Sequence, residues 1–413
     1  MNKKKIFNDP VYGFITIKSD LIFDIIQHPI FQRLRRIKQL GLTELIYPGA
    51  HHTRFHHAIG AMHLMSRALD ALRGKGIDIS DQEYEQAQIA VLLHDIGHGP
   101  FSHALEFSLL KGIKHESISF LLMKELNNHF DNGLNLALKI FQNTYERQFF
   151  HQLVSSQLDV DRLDYLKRDS FFTGVSEGSI GLERIISMLN VVDDNIVVEE
   201  KGIYSIENFL NARRLMYWQV YLHKTSVSAE KMLINLILRA KELTMAGKEV
   251  PASKPLQLFL ANEYTLDDFQ RNPDLITSFG GLDDYDIWGA IKFWQHVDDR
   301  ILSELSSRIL NRDLFKIKLT NEPLSKKDLE LLRSVIVETY NLRKSEARYF
   351  FAHGEVTNKA YAPESASIQI LSKKGKLLNI TDAAELPNIK AISKIVKKFY
   401  LCFPKNVSLP LNS

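Results

Sequence analysis

Three histidines and an aspartate stand within the stretch VLLHDIGHGPFSH, residues 91–103. Imidazole and carboxylate side chains can bind a divalent cation, and histidine can also transfer protons near neutral pH. An adjacent His–Asp pair is by itself weak evidence for a site, because a hydrogen-bonded pair at a helix end is the commoner arrangement. The stretch predicts a metal site only if other parts of the chain supply further ligands.

Further ligand types occur on both sides of this stretch. The upstream segment TRFHHAIG contains His56 and His57, and the downstream segment LDVDRLDYLKRDS contains Asp161, Tyr165 and Asp169. The last three stand at i, i+4 and i+8, which places them on one face of a helix. Two imidazoles and two carboxylates from three helices can enclose Mn, Fe, Ni, Co, Zn or Mg. Such a cation generates a nucleophile from water at neutral pH, as the hydrolysis of a phosphoester requires.

The elements that position these residues are readable from apolar spacing. In HAIGAMHLMSRALDALRGKG the apolar residues recur at threes and fours, and the two glycines near its end predict the stop. The next helix is predicted to begin at Ser80, with Glu83 completing a capping box, and to end before Gly97. His94 and Asp95 then lie at the C-terminal end of that helix.

The remaining pattern predicts a mainly α protein with a small α+β appendage. Further helices are expected around residues 115–130, 150–170, 205–246 and 285–311. Strand patterns fall mostly in the last hundred residues, in FKIKL and in SIQILSKKGKLLNI, a hairpin turning at Lys374 and Gly375. We therefore expect a helical domain over residues 1–311, with its core at about 50–170, and an α+β region over residues 312–413.

Composition restricts the class of protein. Lys and Arg total 52 against 49 for Asp and Glu, a net charge of +3 that does not predict a nucleic-acid-coating surface. The single cysteine, Cys402, excludes an intrachain disulfide and a cysteine-based zinc site. The N-terminus lacks the apolar region of a signal peptide, and no apolar run reaches the roughly 18 residues of a membrane span. We expect a soluble cytoplasmic protein.

The order His57, His94 with Asp95, and Asp161 resembles the HD-domain phosphohydrolases. The wider segments FQRLRRIKQLG, YPGAHHTRFHHAIG, LLHDIGHGPFSH and DVDRLDYLKRDSFFTGV look like the deoxynucleoside triphosphate triphosphohydrolase branch, over roughly residues 8–245. The resemblance implies an HD helical bundle in which these four residues are the metal ligands. The family pattern Arg-Phe-x-His-x-x-Gly selects His57 rather than His56.

The resemblance also implies the acid–base residues. His98, His103 and His115 are expected as protonated groups, with His98 contacting phosphate and His103 protonating the leaving oxygen. Glu106 is expected to orient His103, although relatives have Asp there. His115 corresponds to another active-site histidine of the family; its alternative is a surface residue at a helix N-terminus.

Substrate contacts are implied in the same way. Arginine forks match phosphate geometry, and the sugar is expected to meet a tyrosine that excludes the ribose hydroxyl. The residues implied are Arg54, Arg162 and Arg213 for phosphate, Gln39, Tyr165 and Asp169 for the sugar, and Tyr221 for the sugar or base. Many relatives have Lys at position 162. Tyr217 is assigned equally to the core and to the site.

The resulting hypothesis is a metal-dependent dNTP triphosphohydrolase that releases a deoxynucleoside and inorganic triphosphate. The alternatives are an HD phosphohydrolase acting on a nucleoside monophosphate or a cyclic or alarmone nucleotide, and a non-catalytic nucleotide-sensing module. Relatives form dimers or tetramers, and some need a nucleotide activator. Gln27 stands two residues before Pro29, where activated relatives have Asp, which argues against activation by the same guanine nucleotide.

Overall fold

The computed structural model describes residues 5–101, 103–106, 108–110, 112–358, 367–384 and 396–408, without the side chains of residues 103 and 358. Helices dominate the first three quarters of the chain. In chain order they are α1 (Asp20–Gln27), α2 (Pro29–Gln32), α3 (Arg54–Gly74), α4 (Asp81–Leu93), α5 (His103–Glu106), α6 (His115–His129), α7 (Asn135–Phe141), α8 (Gln148–Val154), α9 (Val160–Thr173), α10 (Leu182–Met188), α11 (Ile203–Met216), α12 (Lys224–Met245), α13 (Lys254–Ala261), α14 (Leu266–Arg271), α15 (Pro273–Gly280), α16 (Asp284–Trp294), α17 (Arg300–Leu310), α18 (Lys326–Tyr340) and α19 (Ile380–Ala383).

Within the described residues, the strands form three small sheets. They are β1 (Lys5–Asp9), β2 (Gly13–Ile17), β3 (Leu189–Val192), β4 (Asn195–Glu199), β5 (Lys316–Thr320), β6 (Ala352–Asn358), β7 (Gln369–Leu371), β8 (Leu377–Asn379) and β9 (Val396–Phe403). Strands β1 and β2 pair as a hairpin, a second sheet has the order β3-β4-β7-β8, and a third has the order β5-β9-β6. The mainly α class with a small sheet region is thus confirmed.

Three helices build the centre of the bundle, because α3 packs against both α4 and α9. The capping box of Ser80 and Glu83 begins α4 as predicted. At the start of α3, the Nδ1 atom of His56 accepts a hydrogen bond from the Thr53 amide at 3.1 Å. His56 therefore caps the helix that carries His57.

Three of the predicted helices are interrupted. Residues 150–170 divide into α8 and α9, and residues 285–311 divide into α16 and α17. Each second helix is preceded by an N-cap aspartate, Asp159 or Asp299, whose side chain accepts a hydrogen bond from an amide of the helix. Residues 205–246 divide around a π-helical turn at Tyr217–Tyr221. Apolar periodicity continues across these breaks, so the sequence pattern alone did not reveal them.

The hairpins β1–β2 and β3–β4 were not predicted. Their strands have only four or five residues, and those of the β3–β4 hairpin show no clear alternation of buried and exposed side chains. The predicted hairpin of β7 and β8 is confirmed, and Gly375 in its turn has a φ of 77°. Strand β7 pairs in parallel with β4, so one sheet joins strands from both sides of the domain boundary proposed at residue 311. The division into two domains remains a proposal.

None of the described helices is both long and apolar enough to cross a membrane.

Candidate active site

The four predicted metal ligands converge where α3, the end of α4 and the start of α9 meet. The Nε2 atom of His57 lies 3.1 Å from Asp161 Oδ1 and 3.9 Å from Asp95 Oδ2. The Nε2 atom of His94 lies 3.4 Å from Asp161 Oδ1 and 3.3 Å from Asp95 Oδ1. The structure therefore brings ligand atoms of His57, His94 and Asp161 within 4.8 Å of one another, and the Asp95 carboxylate lies beside both imidazoles.

The tautomers of the two imidazoles suit a cation. His57 Nδ1 lies 2.8 Å from Asp164 Oδ2, and His94 Nδ1 lies 2.6 Å from the carbonyl oxygen of Val91. With these acceptors Nδ1 carries the proton, and each Nε2 presents its lone pair to the centre. Both Nε2 atoms are buried and have no partner in hydrogen-bond geometry among the described residues. This donor set fits a divalent transition metal.

The electrostatic potential at the centre is negative. Burial opposes charge on His57, but the carboxylates of Asp161 and Asp164 outweigh burial and raise the pKa of His57 to about 10 when no cation shares the site. Burial likewise opposes charge on Asp161, yet His57 and His94 hold the pKa of that carboxyl well below its usual value. A field that favours a proton on a buried imidazole also favours a metal cation.

Arg54 contacts a predicted ligand rather than open solvent. Its guanidinium Nη1 donates a hydrogen bond to Asp95 Oδ2, and both side chains are buried. Burial lowers the pKa of Arg54, although the Asp95 carboxylate opposes this effect. Arg54 also lines the adjacent cavity, so the same guanidinium faces a ligand and the space expected for phosphate.

His98 lies beside the predicted ligand Asp95, and its role as a protonated group stays a prediction. Burial and the nearby Arg54 guanidinium lower its pKa well below the usual value, which favours the neutral form of the imidazole. Its Nε2 atom lies 3.3 Å from Asp95 Oδ1, and its ring stacks on that of His115 with centroids 3.8 Å apart. A neutral His98 can still donate a hydrogen bond to a phosphate oxygen.

Glu106 contacts His115, a pairing that the sequence analysis did not anticipate. The Oε1 atom of Glu106 accepts a hydrogen bond from the His115 amide at 3.0 Å and lies 3.4 Å from its Nδ1. His103 begins α5, but its side chain lies outside the described residues. The expected pairing of Glu106 with His103 therefore remains a prediction.

A cavity of about 560 Å³ opens beside the metal centre. Its wall includes both predicted residues and several that were not singled out; the polar and aromatic members are Gln39, Thr43, Arg54, Asp95, His98, Phe101, His115, Asp161, Arg162, Tyr165, Asp169, Tyr217, Tyr221 and Glu230. Arg213 is absent from this wall and donates instead to Gln157 Oε1 at 3.1 Å. The structure thus brings all the predicted substrate residues to the cavity except Arg213.

The sugar-binding residues form a hydrogen-bonded group. Asp169 Oδ1 lies 2.7 Å from His52 Nε2, and Asp169 Oδ2 accepts a hydrogen bond from the Tyr221 hydroxyl at 2.8 Å. Each oxygen of the Asp169 carboxylate therefore has one protein partner and can accept a further hydrogen bond. The ring of Tyr165 meets that of Tyr221 edge to face, with centroids 6.0 Å apart. His52 lies within the histidine-rich segment HHTRFHH, residues 51–57, and this pattern could have indicated it.

Arg162 is held at the start of α9 by the residue that caps this helix. Its Nη1 donates to Asp159 Oδ2, and its amide donates to Asp159 Oδ1 at 2.7 Å. Burial opposes the charge of Arg162, but Asp159 raises its pKa above the usual value. Arg162 is accordingly a fixed cation on the cavity wall.

Two buried residues that the sequence analysis missed hold the loop after α4. Arg33 donates to the carbonyl oxygens of Leu282, Ile96 and His98 at 2.7, 3.0 and 2.6 Å. The Asp284 carboxylate accepts from the amide of Lys38 and from that of Phe101, each at 2.9 Å. These contacts fix the HDIGHGPF loop against the segment that carries Gln39. Arg33 belongs to the FQRLR motif and could have been noticed there, whereas no local sequence pattern indicates Asp284.

Comparisons with known proteins agree with this geometry. The HD domain model matches residues 54–169, and the model of the HD associated region matches residues 180–254. The crystal structure of a phosphohydrolase from Bacteroides thetaiotaomicron superimposes with a TM-score of 0.94 at 52% identity, covering 98% of this chain and 100% of that chain. Both the helical bundle and the C-terminal region are therefore shared with a solved structure.

Curated relatives extend the comparison. The uncharacterized protein YwfO of Bacillus subtilis is 35% identical over 330 residues, which cover 76% of this chain and 72% of that protein. The deoxynucleoside triphosphate triphosphohydrolase SAMHD1 homolog of Dictyostelium discoideum is 33% identical over 269 residues, covering 60% of this chain and 52% of that protein. With the HD domain model matching residues 54–169 and a relative at 35% identity covered over 72% of its length, the chain belongs to the HD-domain phosphohydrolase family.

Proposed function

We propose that the protein is a metal-dependent dNTP triphosphohydrolase, converting a dNTP and water into a deoxynucleoside and inorganic triphosphate. The observation that carries this proposal is the continuity of the metal centre with the cavity along α9. Asp161, Tyr165 and Asp169 all line that cavity, at intervals of four residues. At 1.5 Å per residue these intervals correspond to about 6 Å each, a spacing suited to phosphate, sugar ring and sugar hydroxyl in turn.

The metal would be held by His57, His94, Asp95 and Asp161. When bound, a divalent cation supplies charge neutralisation for phosphate oxygens and activation of water. The chain itself contributes Arg162 and Arg54 beside the phosphates, where cations and fork-shaped donors stabilise the charge that develops. His103 is proposed as the acid that protonates the 5′ oxygen of the leaving deoxynucleoside.

The sugar pocket supports the choice of a deoxynucleotide. The Tyr165 ring lies on the cavity wall between the metal ligand Asp161 and Asp169. A ring at this place can exclude a 2′ hydroxyl by its bulk, whereas Asp169 and Gln39 can bind the 3′ hydroxyl. The name of the Dictyostelium relative agrees with this substrate class.

The decisive experiment is an assay of the purified protein with each dNTP, singly and in mixtures, in the presence of Mn²⁺ or Mg²⁺. We expect deoxynucleoside and intact triphosphate to appear together on ion-exchange chromatography. Stepwise formation of nucleoside diphosphate and monophosphate would contradict the proposal, as would hydrolysis of nucleoside monophosphates alone. Binding without turnover under all these conditions would indicate a sensor instead.

Three further properties of the proposal are independent of the chemistry. We infer a homo-oligomer, a dimer or tetramer, from the behaviour of relatives, and light scattering at micromolar concentration tests it. A cytoplasmic location remains a prediction. If activity rises only in mixtures of dNTPs, a nucleotide activator is needed; Gln27 before Pro29 predicts that it is not the guanine nucleotide of the activated relatives.

A further inference from the structure

The N-terminal hairpin of β1 and β2 contacts α9, the helix that carries the predicted ligand Asp161, through the buried side chain of Asp9. Asp9, at the end of β1, is 5% exposed. Its Oδ1 accepts hydrogen bonds from the amides of Val11 and Tyr12 at 2.9 and 3.0 Å, which closes the turn of the hairpin. Its Oδ2 accepts from Arg168 Nη1 at 2.8 Å. One carboxylate therefore joins the hairpin to α9.

Arg168 continues this contact towards the metal ligands. Its Nε and Nη2 atoms donate to Asp164 Oδ2 and Oδ1 at 2.9 and 3.0 Å, and both side chains are fully buried. Asp164 Oδ2 also lies 2.8 Å from His57 Nδ1. A hydrogen-bonded chain thus runs from Asp9 through Arg168 and Asp164 to His57, whose Nε2 faces the centre.

Gly60 leaves room for the buried ion pair of Asp164 and Arg168. Gly60 lies one helical turn beyond His57 on α3, and a Cβ atom there would stand 2.1 Å from Asp164 Oδ1 and 2.2 Å from Arg168 Nη2. The guanidinium carbon of Arg168 also lies 5.4 Å from the centroid of the Tyr12 ring. The glycine of the RFHHAIG segment therefore has a physical reason, which is space for the buried ion pair.

We propose that Asp9 and Arg168 are positioning residues of the metal centre, through which the N-terminal hairpin sets the affinity for the divalent cation. Asp164 keeps the proton of His57 on Nδ1 and so directs Nε2 to the metal. Arg168 fixes the orientation of Asp164 with a two-pronged contact. Asp9 balances the guanidinium, so that Asp164 retains enough negative charge to act on His57.

The charge balance explains why the distant carboxylate matters. The side chains of Asp9, Arg168 and Asp164 together carry a net charge of −1, and the Asp164 carboxylate presents this charge to His57. Without the Asp9 charge the guanidinium would be neutralised by Asp164 alone, and the field at His57 would weaken. Loss of an outer partner of a metal-binding histidine lowers affinity by about 10- to 100-fold in other metal sites. We expect the lower end of this range for Asp9, since it acts through two intermediates.

The test is the Asp9→Asn variant titrated with Mn²⁺ alone, with free Mn²⁺ counted by electron paramagnetic resonance. An asparagine has one oxygen, so it cannot serve both the turn amides and Arg168 as an acceptor. We expect the dissociation constant for Mn²⁺ to rise about 10-fold. A dissociation constant equal to that of the wild type would overturn the proposal, and so would a wild type that binds no Mn²⁺.

Asp299→Asn is the matched control. Asp299 likewise accepts a hydrogen bond from a backbone amide, that of Leu302 at 2.9 Å, and one from Arg239 Nε at 3.1 Å. None of these residues belongs to the centre, so the variant should bind Mn²⁺ as the wild type does even if its melting temperature falls. An equal loss of Mn²⁺ affinity in both variants would show general loosening and overturn the proposal.

A second variant and a spectroscopic readout cover the case in which Asp9→Asn does not fold. Asp9→Ser keeps a hydroxyl that can accept from the turn amides but does not reach Arg168. In Zn²⁺-loaded protein with ¹⁵N-labelled histidine, we expect the Nδ1–H signal of His57 to shift or broaden in the variant. An unchanged signal together with unchanged Mn²⁺ affinity would refute the role of the hairpin.

The inference rests on the metal centre of the proposed function but not on the nucleotide. A protein that binds Mn²⁺ and hydrolyses no dNTP would refute the proposed function and leave this inference intact. If the wild type hydrolyses dNTPs and the Asp9→Asn variant binds Mn²⁺ as tightly as the wild type does, only this inference is refuted.

Discussion

His52 and Asp169 are joined by a buried contact in which Nε2 of the imidazole lies 2.7 Å from Oδ1 of the carboxylate. One face of the His52 ring is covered, because it stacks on the ring of Phe172 with centroids 4.5 Å apart. With Tyr221 bound to its other oxygen, Asp169 has little rotational freedom. A fixed carboxylate discriminates between hydroxyl positions better than a mobile one, since each oxygen keeps one direction open.

The first prediction concerns the 3′ hydroxyl. Asp169→Ala should reduce kcat/KM for dNTPs about 10- to 100-fold, as expected for a hydrogen bond to a charged group, and hardly affect dideoxynucleotides. His52→Ala should have a weaker effect of the same kind, because Asp169 keeps Tyr221. The measurement is the ratio of kcat/KM for a dNTP and its 2′,3′-dideoxy analogue. An unchanged ratio in both variants would refute this sugar pocket.

The second prediction concerns the 2′ position. Tyr165→Ala should narrow the preference for dNTP over NTP about 10-fold or more, because the bulk that excludes the ribose hydroxyl is removed. Tyr165→Phe is the control, since it keeps the ring and should keep the preference. Competing hydrolysis of paired dNTP and NTP substrates gives the ratio directly. A Tyr165→Ala enzyme that retains full preference would contradict the model.

The third prediction concerns the metal. Asp95→Ala should abolish stoichiometric metal binding, because Asp95 lies within 3.9 Å of both ligand imidazoles and is itself held by Arg54. Asp169→Ala, in the same cavity but outside the centre, should retain the metal. Elemental analysis of both purified variants decides the matter. Full metallation of Asp95→Ala would show that the ligand assignment is wrong.

The fourth prediction concerns the acid. His103→Ala should lose activity by about 10² to 10⁴-fold while keeping its metal, the usual range for removal of a general acid. Residual turnover should still release intact triphosphate, since the bond that is broken does not change. Single-turnover kinetics with elemental analysis provides the test. A variant that loses its metal in parallel with activity would assign His103 to the metal centre instead.

The fifth prediction concerns stability. Burial raises the pKa of Asp284 from 3.8 to about 6, although two backbone amides oppose this effect. A raised pKa in the folded state stabilises the protein most below the unfolded value, and that stabilisation is lost as pH rises from about 4 to about 6. The total loss is roughly 3 kcal/mol at 1.36 kcal/mol per pKa unit.

Asp284→Asn removes this titration and provides its test. The difference in unfolding free energy between wild type and variant should shift in favour of the variant as pH rises through this window, measured by urea denaturation. Asp286→Asn, on the same helix but only half-buried, should not reproduce the shift. A pH-independent difference between Asp284→Asn and wild type would show that Asp284 has an ordinary pKa.

Several elements could be predicted because their cause is local. Apolar spacing with end signals gave α3, α4 and the hairpin of β7 and β8, since capping and turn residues act within a few positions of the chain. The common face of Asp161, Tyr165 and Asp169 follows from helix geometry alone. The metal ligands were named from the family motifs, and the structure brings all four together.

Other features depended on tertiary contacts. The hairpin of β1 and β2 is joined to α9 by the buried contact of Asp9 with Arg168, and local periodicity does not record such contacts. Arg168 could be read from sequence as an i, i+4 partner of Asp164, but its bond to Asp9 spans 159 residues. The sequence by itself determined where several of the helices form and which side chains could bind a metal. Only the tertiary structure decided which buried charges surround those side chains, because charge balance in a core is set by whichever segments fold together there.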